Sequence, residues 1–215
     1  MKHQLPSIHT NLTEDDWHQL RSSRFTASEI HKLMGTPKNK SEYLSETAKT
    51  FIFEKAAEYL TGQKAEMYGR ALDWGKDHEK EAFEYFANQS EDFYTYYGAE
   101  TYTFITYGEW GGYSPDALGT HLVEIKCPFN SGNHLQNSFI TNNEQFKSKR
   151  PEYYWQVQMG MIATEMEEAY FVSYDTRMPH GKKMTSTLIT LEEDIKEIID
   201  EKLVSAGELF LSITK

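Results

Sequence analysis

The chain has a single cysteine, Cys127, in 215 residues. One thiol excludes an internal disulfide and any zinc or iron–sulfur centre built from several cysteines. No run approaches the roughly 18 apolar residues of a membrane span, and the opening MKHQLPSIHTNL lacks the apolar core of a signal peptide. A soluble, cytoplasmic protein is expected. Basic residues are in the minority: 22 Lys and Arg stand against 33 Asp and Glu, a formal charge of −11. That argues against a sequence-specific binder with a broadly basic surface, but not against contact confined to a groove lined by a few cations. Repeats, low-complexity tracts and linkers are also missing.

Aromatic residues, by contrast, are plentiful at 14%, within a hydrophobic set of 39%. Such a composition supports a real core, and the length suits one domain over residues 1–215, with residues 1–12 as a loose lead-in.

The most informative stretch is Tyr113 to Phe129, YSPDALGTHLVEIKCPF. Its second half alternates as a strand does, so Leu122, Glu124 and Lys126 point to one face and Val123, Ile125 and Cys127 to the other. Pro115 fixes the backbone before a turn containing Gly119, which returns the chain so that Asp116 lies beside Glu124. Paired carboxylates repel unless a cation sits between them, and hard oxygen donors suit Mg²⁺ or Mn²⁺. Lys126 would then stabilise charge on a phosphoryl oxygen or assist a water molecule. The chemistry implied is phosphodiester hydrolysis. A polar hairpin with a surface Glu–Lys pair would give the same short pattern.

Helix signals surround this stretch. Thr13 caps TEDDWHQLRSSR, and Thr26 or Ser28 caps TASEIHKLMG, so that Arg21, Arg24 and Ser28 cluster at a helix start suited to an anion, unless Ser28 only caps. SEYLSETAKTFIFEKAAEYLTG reads as a helix stopped at Gly62. From Glu66 to Asn88, Leu72, Gly75, Glu79, Phe83 and Phe86 share a face, which strands Glu79 in an apolar stripe. Residues 92–106 read as strands around a turn at Gly98. Residues 130–149 are polar, a loop with a short helix. Pro151 opens a further helix in which Gln158 is enclosed by Tyr154, Trp155, Met161 and Ile162; a buried amide there needs partners, in a site or on the backbone. EAYFVSYD and KMTSTLITL follow as strands, and a long amphipathic helix ends the chain.

Six blocks, DWHQLRSSRFTASEI, ALDWGKDHEKEAFEYF, SPDAL, VEIKCPF, YWQVQMGM and YFVSYDTRM, resemble in order and spacing the phage lambda exonuclease and YqaJ-type alkaline exonuclease family of the PD-(D/E)xK nuclease superfamily. The resemblance runs from Trp17 to Met178. It implies an α/β (α+β) restriction-endonuclease-like core, a central mixed β-sheet flanked by helices. It further implies a Mg²⁺-dependent 5′→3′ exonuclease, phage- or prophage-encoded, that degrades one strand of linear duplex DNA. In this family a ring-shaped homotrimer threads the DNA and leaves a 3′ overhang for a single-strand annealing protein.

Carried over position by position, Glu79, Asp116, Glu124 and the carbonyl of Ile125 match the ligands of two Mg²⁺ ions, for which Mn²⁺ substitutes. Lys126 matches the catalytic lysine, and Gln158 the glutamine that completes the site. Arg21, Ser28 and Ser114 match a 5′-phosphate pocket, Leu72 a wedge at the terminal base pair and Lys38 a loop that arches over DNA. Departures are a shorter connection from Asp116 to Glu124, Ala117 in SPDAL where the phage enzyme has glycine, and Gly132 in place of an arginine. Two other readings are an endonuclease of the same superfamily and a catalytically silent DNA-end-binding protein.

Overall fold

The structure is a computed structural model that describes residues 6–63, 69–98 and 101–215. Its elements are set largely by local signals. Thr13 caps α1 (Glu14–Ser22) by accepting the Asp16 N–H, and Ser45 does the same for α2 (Glu46–Thr61), which Gly62 terminates at φ +65°. Such side-chain caps satisfy N–H groups that have no partner within the helix, and glycine tolerates the left-handed exit. Helix α3 covers Arg70–Ala87; the four residues before it in the expected helix, starting at Glu66, include 66–68, which lie outside the described residues. Short helices α4 (Ser131–Asn137) and α5 (Asn143–Lys149) precede α6 (Pro151–Thr164), where Pro151 occupies the first turn. Helix α7 (Ile195–Thr214) is last.

The strands form two hydrogen-bonded sheets. One, in the order β1-β4-β5-β2, joins Ser7–His9, Phe104–Tyr107, Gly111–Tyr113 and Phe25–Thr26, with β2 parallel to β5. The other, β3-β6-β7-β8-β9, joins Thr95–Tyr96, Ala117–Leu118, Leu122–Lys126, Glu168–Tyr174 and Met184–Thr190. Within it β7 and β8 run parallel, and β6–β7 is the expected hairpin, with Ala117 opposite Val123. Mixed sheets flanked by helices are the expected fold class. The expected single sheet is divided between β5 and β6, at Ser114–Pro115–Asp116, where proline offers no N–H to a ladder.

Three local expectations change. The lead-in is not all loose, since Ser7–His9 pairs antiparallel with β4. The segment from Thr26 is a short 3₁₀ helix, Ala27–Lys32, with no side-chain cap. The strands flanking Gly98 are not a pair: β3 joins β6 and β4 joins β1 and β5.

Strand β7 divides the interior as its alternation requires. Leu122 belongs to the larger apolar cluster, with residues of α2, α6 and α7. Val123, Ile125 and Cys127 join a second cluster with Ala82 and Phe86 of α3. Burying both faces of one strand fixes its register, because a one-residue slip would exchange Glu124 for an apolar neighbour. Among the described residues no helix is long and apolar enough to cross a membrane.

Candidate active site

Glu124 is entirely buried, at 0% exposure. Three donors hold it: Tyr113 Oη donates to Oε2 at 2.9 Å, and Lys126 Nζ and Gln156 Nε2 both donate to Oε1. A buried carboxylate without such partners would cost several kcal/mol. Tyr113 and Gln156 arrive from β5 and α6, which approach closely because of Gly160. A Cβ there would come within 2.9 Å of Leu122 Cδ2 and 3.0 Å of the Tyr113 ring.

Asp116 stands at the mouth of the β6–β7 hairpin and accepts the Ile125 N–H on Oδ2 at 2.7 Å. Removal from water, then the charges of Glu124 and Glu79, push its carboxyl well above the usual range, against the opposing pull of Lys126 and the Ile125 N–H. Burial alone would lower the Lys126 ammonium, but Glu124 and Asp116 outweigh it and hold it above the ordinary value. Lys126 therefore stays cationic across the neutral range. Cys127 is pushed up to about 12, first by burial and then by Glu79 and Asp116; it is a packed thiol and no nucleophile at neutral pH.

Glu79 enters from α3, and Tyr96 donates to its Oε1 at 2.9 Å. A Cβ on Gly98 would lie 2.1 Å from both Glu79 Oε1 and Tyr96 Oη, so a side chain there would displace this pair. Gly98 thus lets the backbone cross over this pair. Glu79, Asp116 and Glu124 outnumber Lys126 and interact with one another, an excess of negative charge on hard oxygens that suits a divalent ion. Among the described residues no three His, Cys, Asp or Glu groups are gathered as a ready ion cage; Glu124 has both oxygens engaged by Tyr113, Lys126 and Gln156. The donor set fits Mg²⁺ in its chemistry, since three donors do not exhaust the lone pairs of the Glu124 carboxylate.

Gln158 does not converge on this cluster. Its Nε2 donates to the Thr190 carbonyl at 2.9 Å and its Oε1 accepts the Glu192 N–H at 3.0 Å, so it pins α6 to the end of β9. The glutamine at the carboxylates is Gln156, two residues earlier. Helix α6 is apolar almost all round, so the apolar neighbours that singled out Gln158 do not tell which partners its amide finds.

A second polar group lies nearby. Ser114 Oγ accepts from Arg21 Nη1 at 3.0 Å and Trp17 Nε1 at 3.2 Å, which leaves its own O–H to donate elsewhere. The Arg21 guanidinium stacks 4.2 Å over the Trp17 ring. Burial lowers it to about 10 although Glu29 and Glu58 oppose, so it remains charged at neutral pH. Arg21 and Ser114 are joined as expected; Ser28 instead pairs its hydroxyl with Thr26 at 3.2 Å on an exposed position of the 3₁₀ turn.

Residues 16–167 match the YqaJ-like viral recombinase domain. The chain belongs to that family. The fold of this YqaJ-like domain is similar to that of an alkaline exonuclease, LHK-Exo, from Laribacter hongkongensis, at 24% identity and a TM-score of 0.71 over 93% of this chain and 94% of that one. LHK-Exo in complex with dAMP gives 25% identity and 0.71 over the same shares. A phage-related exonuclease from Haemophilus somnus gives 18% and 0.74, over 91% and 97%. The fold is restriction-endonuclease-like. No curated protein matches.

The outlying residues of the YqaJ-like domain lie where solvent reaches them. Leu72 is 42% exposed in the first turn of α3, and Lys38 is exposed in the connection between the 3₁₀ turn and α2. The sequence reading missed Tyr113, Tyr96 and Gln156. Tyr96 and Gln156 reach the carboxylates from separate elements and Tyr113 from the strand just before Asp116, and the first glutamine of YWQVQ was the visible signal for Gln156.

Proposed function

We propose that this YqaJ-like protein is a Mg²⁺-dependent 5′→3′ exonuclease that degrades one strand of linear duplex DNA and leaves a 3′ overhang for strand annealing. The observation that carries the reading is the Glu124–Lys126 ion pair beside Asp116 on one hairpin. Support also comes from the structural neighbours, whose names are alkaline exonuclease and phage-related exonuclease. The dAMP held by LHK-Exo is a mononucleotide, the product size of an end-directed nuclease.

Asp116, Glu124 and the Ile125 carbonyl would hold Mg²⁺ or Mn²⁺, with Glu79 assisting at a second ion, and the metal would supply a lowered pKa for attacking water and charge neutralisation. The protein supplies the rest. Lys126 offers an ammonium to the scissile phosphate oxygens and to the water that attacks. Gln156 and Tyr113 fix the orientation of Glu124. Arg21 and Ser114 offer charge-assisted and hydroxyl hydrogen bonds to a 5′-phosphate, which sets polarity by seating one end. Ser28 extends that pocket, Leu72 wedges the terminal base pair and Lys38 contacts DNA from its loop. A homotrimeric ring suits the charge of −11, since a channel needs cations only along its wall. The resemblance to the YqaJ-type exonucleases supports the ring and an annealing partner.

Polarity is tested with linear duplex carrying a label at the 5′ or the 3′ end. Early release of the 5′ label as mononucleotide is expected; early release of the 3′ label would reverse the assignment.

A further inference from the structure

The block YFVSYDTRM has no role in the site above, yet its end is tied to the segment that leaves β7. Arg177 grips Asp175 with both arms of its fork, Nε to Oδ1 at 2.8 Å and Nη2 to Oδ2 at 2.9 Å. The same Nη2 donates to the carbonyls of Phe129 at 2.9 Å and Pro128 at 3.3 Å. Burial alone would raise the Asp175 carboxyl, but Arg177 and Ser131 hold it at about 2, so the fork is charged on both sides at neutral pH. The guanidinium also lies 4.2 Å over the Trp74 ring. Trp74 stacks at 3.8 Å on His78, the residue before Glu79, and its ring meets Phe129 edge-on at 6.0 Å.

Phe129 is therefore fixed through its main chain by Arg177 and through its ring by Trp74. It is nonetheless 44% exposed. It follows Lys126 by three residues, which keeps the two Cα atoms within about 10 Å. Among the described residues Phe93, exposed at 96%, has no such backing. An apolar ring held through its main chain by Arg177 and edge-on by Trp74, three residues from Lys126, offers a π-face near the Lys126 ammonium, the Arg177 charge being matched by Asp175. A π-face and a nearby cation are the two features that bind an unpaired nucleobase without regard to sequence.

We propose that Phe129 is a nucleobase-stacking contact for the DNA strand in the cleft, held in position by Arg177 and Trp74. This rests on the nuclease reading and extends it to a base contact. The strand recognised is single-stranded, because a paired base keeps both faces inside its duplex stack.

The test uses the full chain in EDTA and a single-stranded oligonucleotide with 2-aminopurine near its 5′ end, whose fluorescence falls on stacking. Wild type and Phe129→Trp are expected to quench it, and Phe129→Ala to quench less and bind roughly ten-fold more weakly, within the usual range for one base–aromatic stack. Arg177→Lys keeps the charge and loses the fork; it is expected to reduce quenching while leaving the salt dependence of binding unchanged. Digestion of linear duplex by wild type with Mg²⁺ is followed in parallel. Equal quenching and affinity in Phe129→Ala, with that digestion intact, would overturn the stacking contact and spare the nuclease reading. A wild type that neither binds nor digests would remove both. Unchanged quenching with an altered oligomeric mass in Phe129→Ala would assign the ring to a protein contact and overturn the proposal.

Discussion

Tyr113 Oη and Glu124 Oε2 lie 2.9 Å apart inside the protein, joining an interior strand of one sheet to the central strand of the other. The phenol is pushed well above its usual range by burial and by the neighbouring carboxylates Glu124 and Asp116, so it stays a donor at any working pH. Tyr113→Phe leaves the other Glu124 donors in place but removes one bond to a buried charge, which is worth about 1.5–3 kcal/mol. Urea unfolding without divalent ions is expected to show a loss of that order. An unchanged midpoint would mean that Glu124 finds another partner.

Asp116 makes stability depend on pH. Its folded pKa is raised, so its contribution is fully present below the unfolded value of about 3.9 and is lost as pH rises through the folded value. In EDTA, Asp116→Asn should therefore gain stability relative to wild type as pH rises from mild acid to neutrality, while losing nuclease activity. Mg²⁺ should narrow that gap, since an ion relieves the same repulsion. Thermal melts of the two proteins from pH 4 to 8, with and without Mg²⁺, check this; a constant difference would contradict it.

The two glutamines of α6 separate function from structure. Gln156→Leu removes a donor from Glu124 and is expected to reduce kcat by at least about ten-fold, the equivalent of about 1.4 kcal/mol. Gln158→Leu takes the acceptor from the Glu192 N–H and one of two side-chain donors from the Thr190 carbonyl, which Asn143 Nδ2 still reaches at 2.7 Å, and should cost about 1–3 kcal/mol of stability, with the kcat of folded protein nearly unchanged. The opposite pattern in steady-state kinetics and urea titrations would restore Gln158 to the site.

Arg21→Gln removes the charge at Ser114 but not the carboxylate cluster. Wild type is expected to prefer a 5′-phosphate to a 5′-hydroxyl end, and the variant to lose about ten- to a hundred-fold of that preference, the range of one charge-assisted bond. Comparing initial rates on the two ends measures it. A preference that survives intact would place the end pocket elsewhere.

These contrasts mark how much could be read from the residues alone. The placement of Asp116, Glu124 and Lys126 on one hairpin was legible because strand alternation and a proline-containing turn are local, and that hairpin forms with Ala117 opposite Val123. Gln156 was not, because both glutamines of α6 are buried and only their distant partners distinguish them. The division of the sheet at Pro115 was equally hidden: the strands on either side read alike, and which sheet each joins is a long-range choice. The capped helix expected from Thr26 tightened to a 3₁₀ turn, a difference that hydrophobic spacing over so few residues does not resolve. Glu79 in its apolar stripe was legible as an anomaly; its partner Tyr96, across a tight glycine turn, was not.

The central claim is that the cluster around Asp116, Glu124 and Lys126 hydrolyses DNA from its ends. The most direct measurement incubates linear duplex and covalently closed circular DNA with wild type and Lys126→Ala, in Mg²⁺ and in EDTA. Loss of the linear DNA alone, only with Mg²⁺ and only with wild type, is the expected result. Cutting of the circle would make the protein an endonuclease, and full turnover by Lys126→Ala, or end binding without any cutting by wild type, would contradict the account.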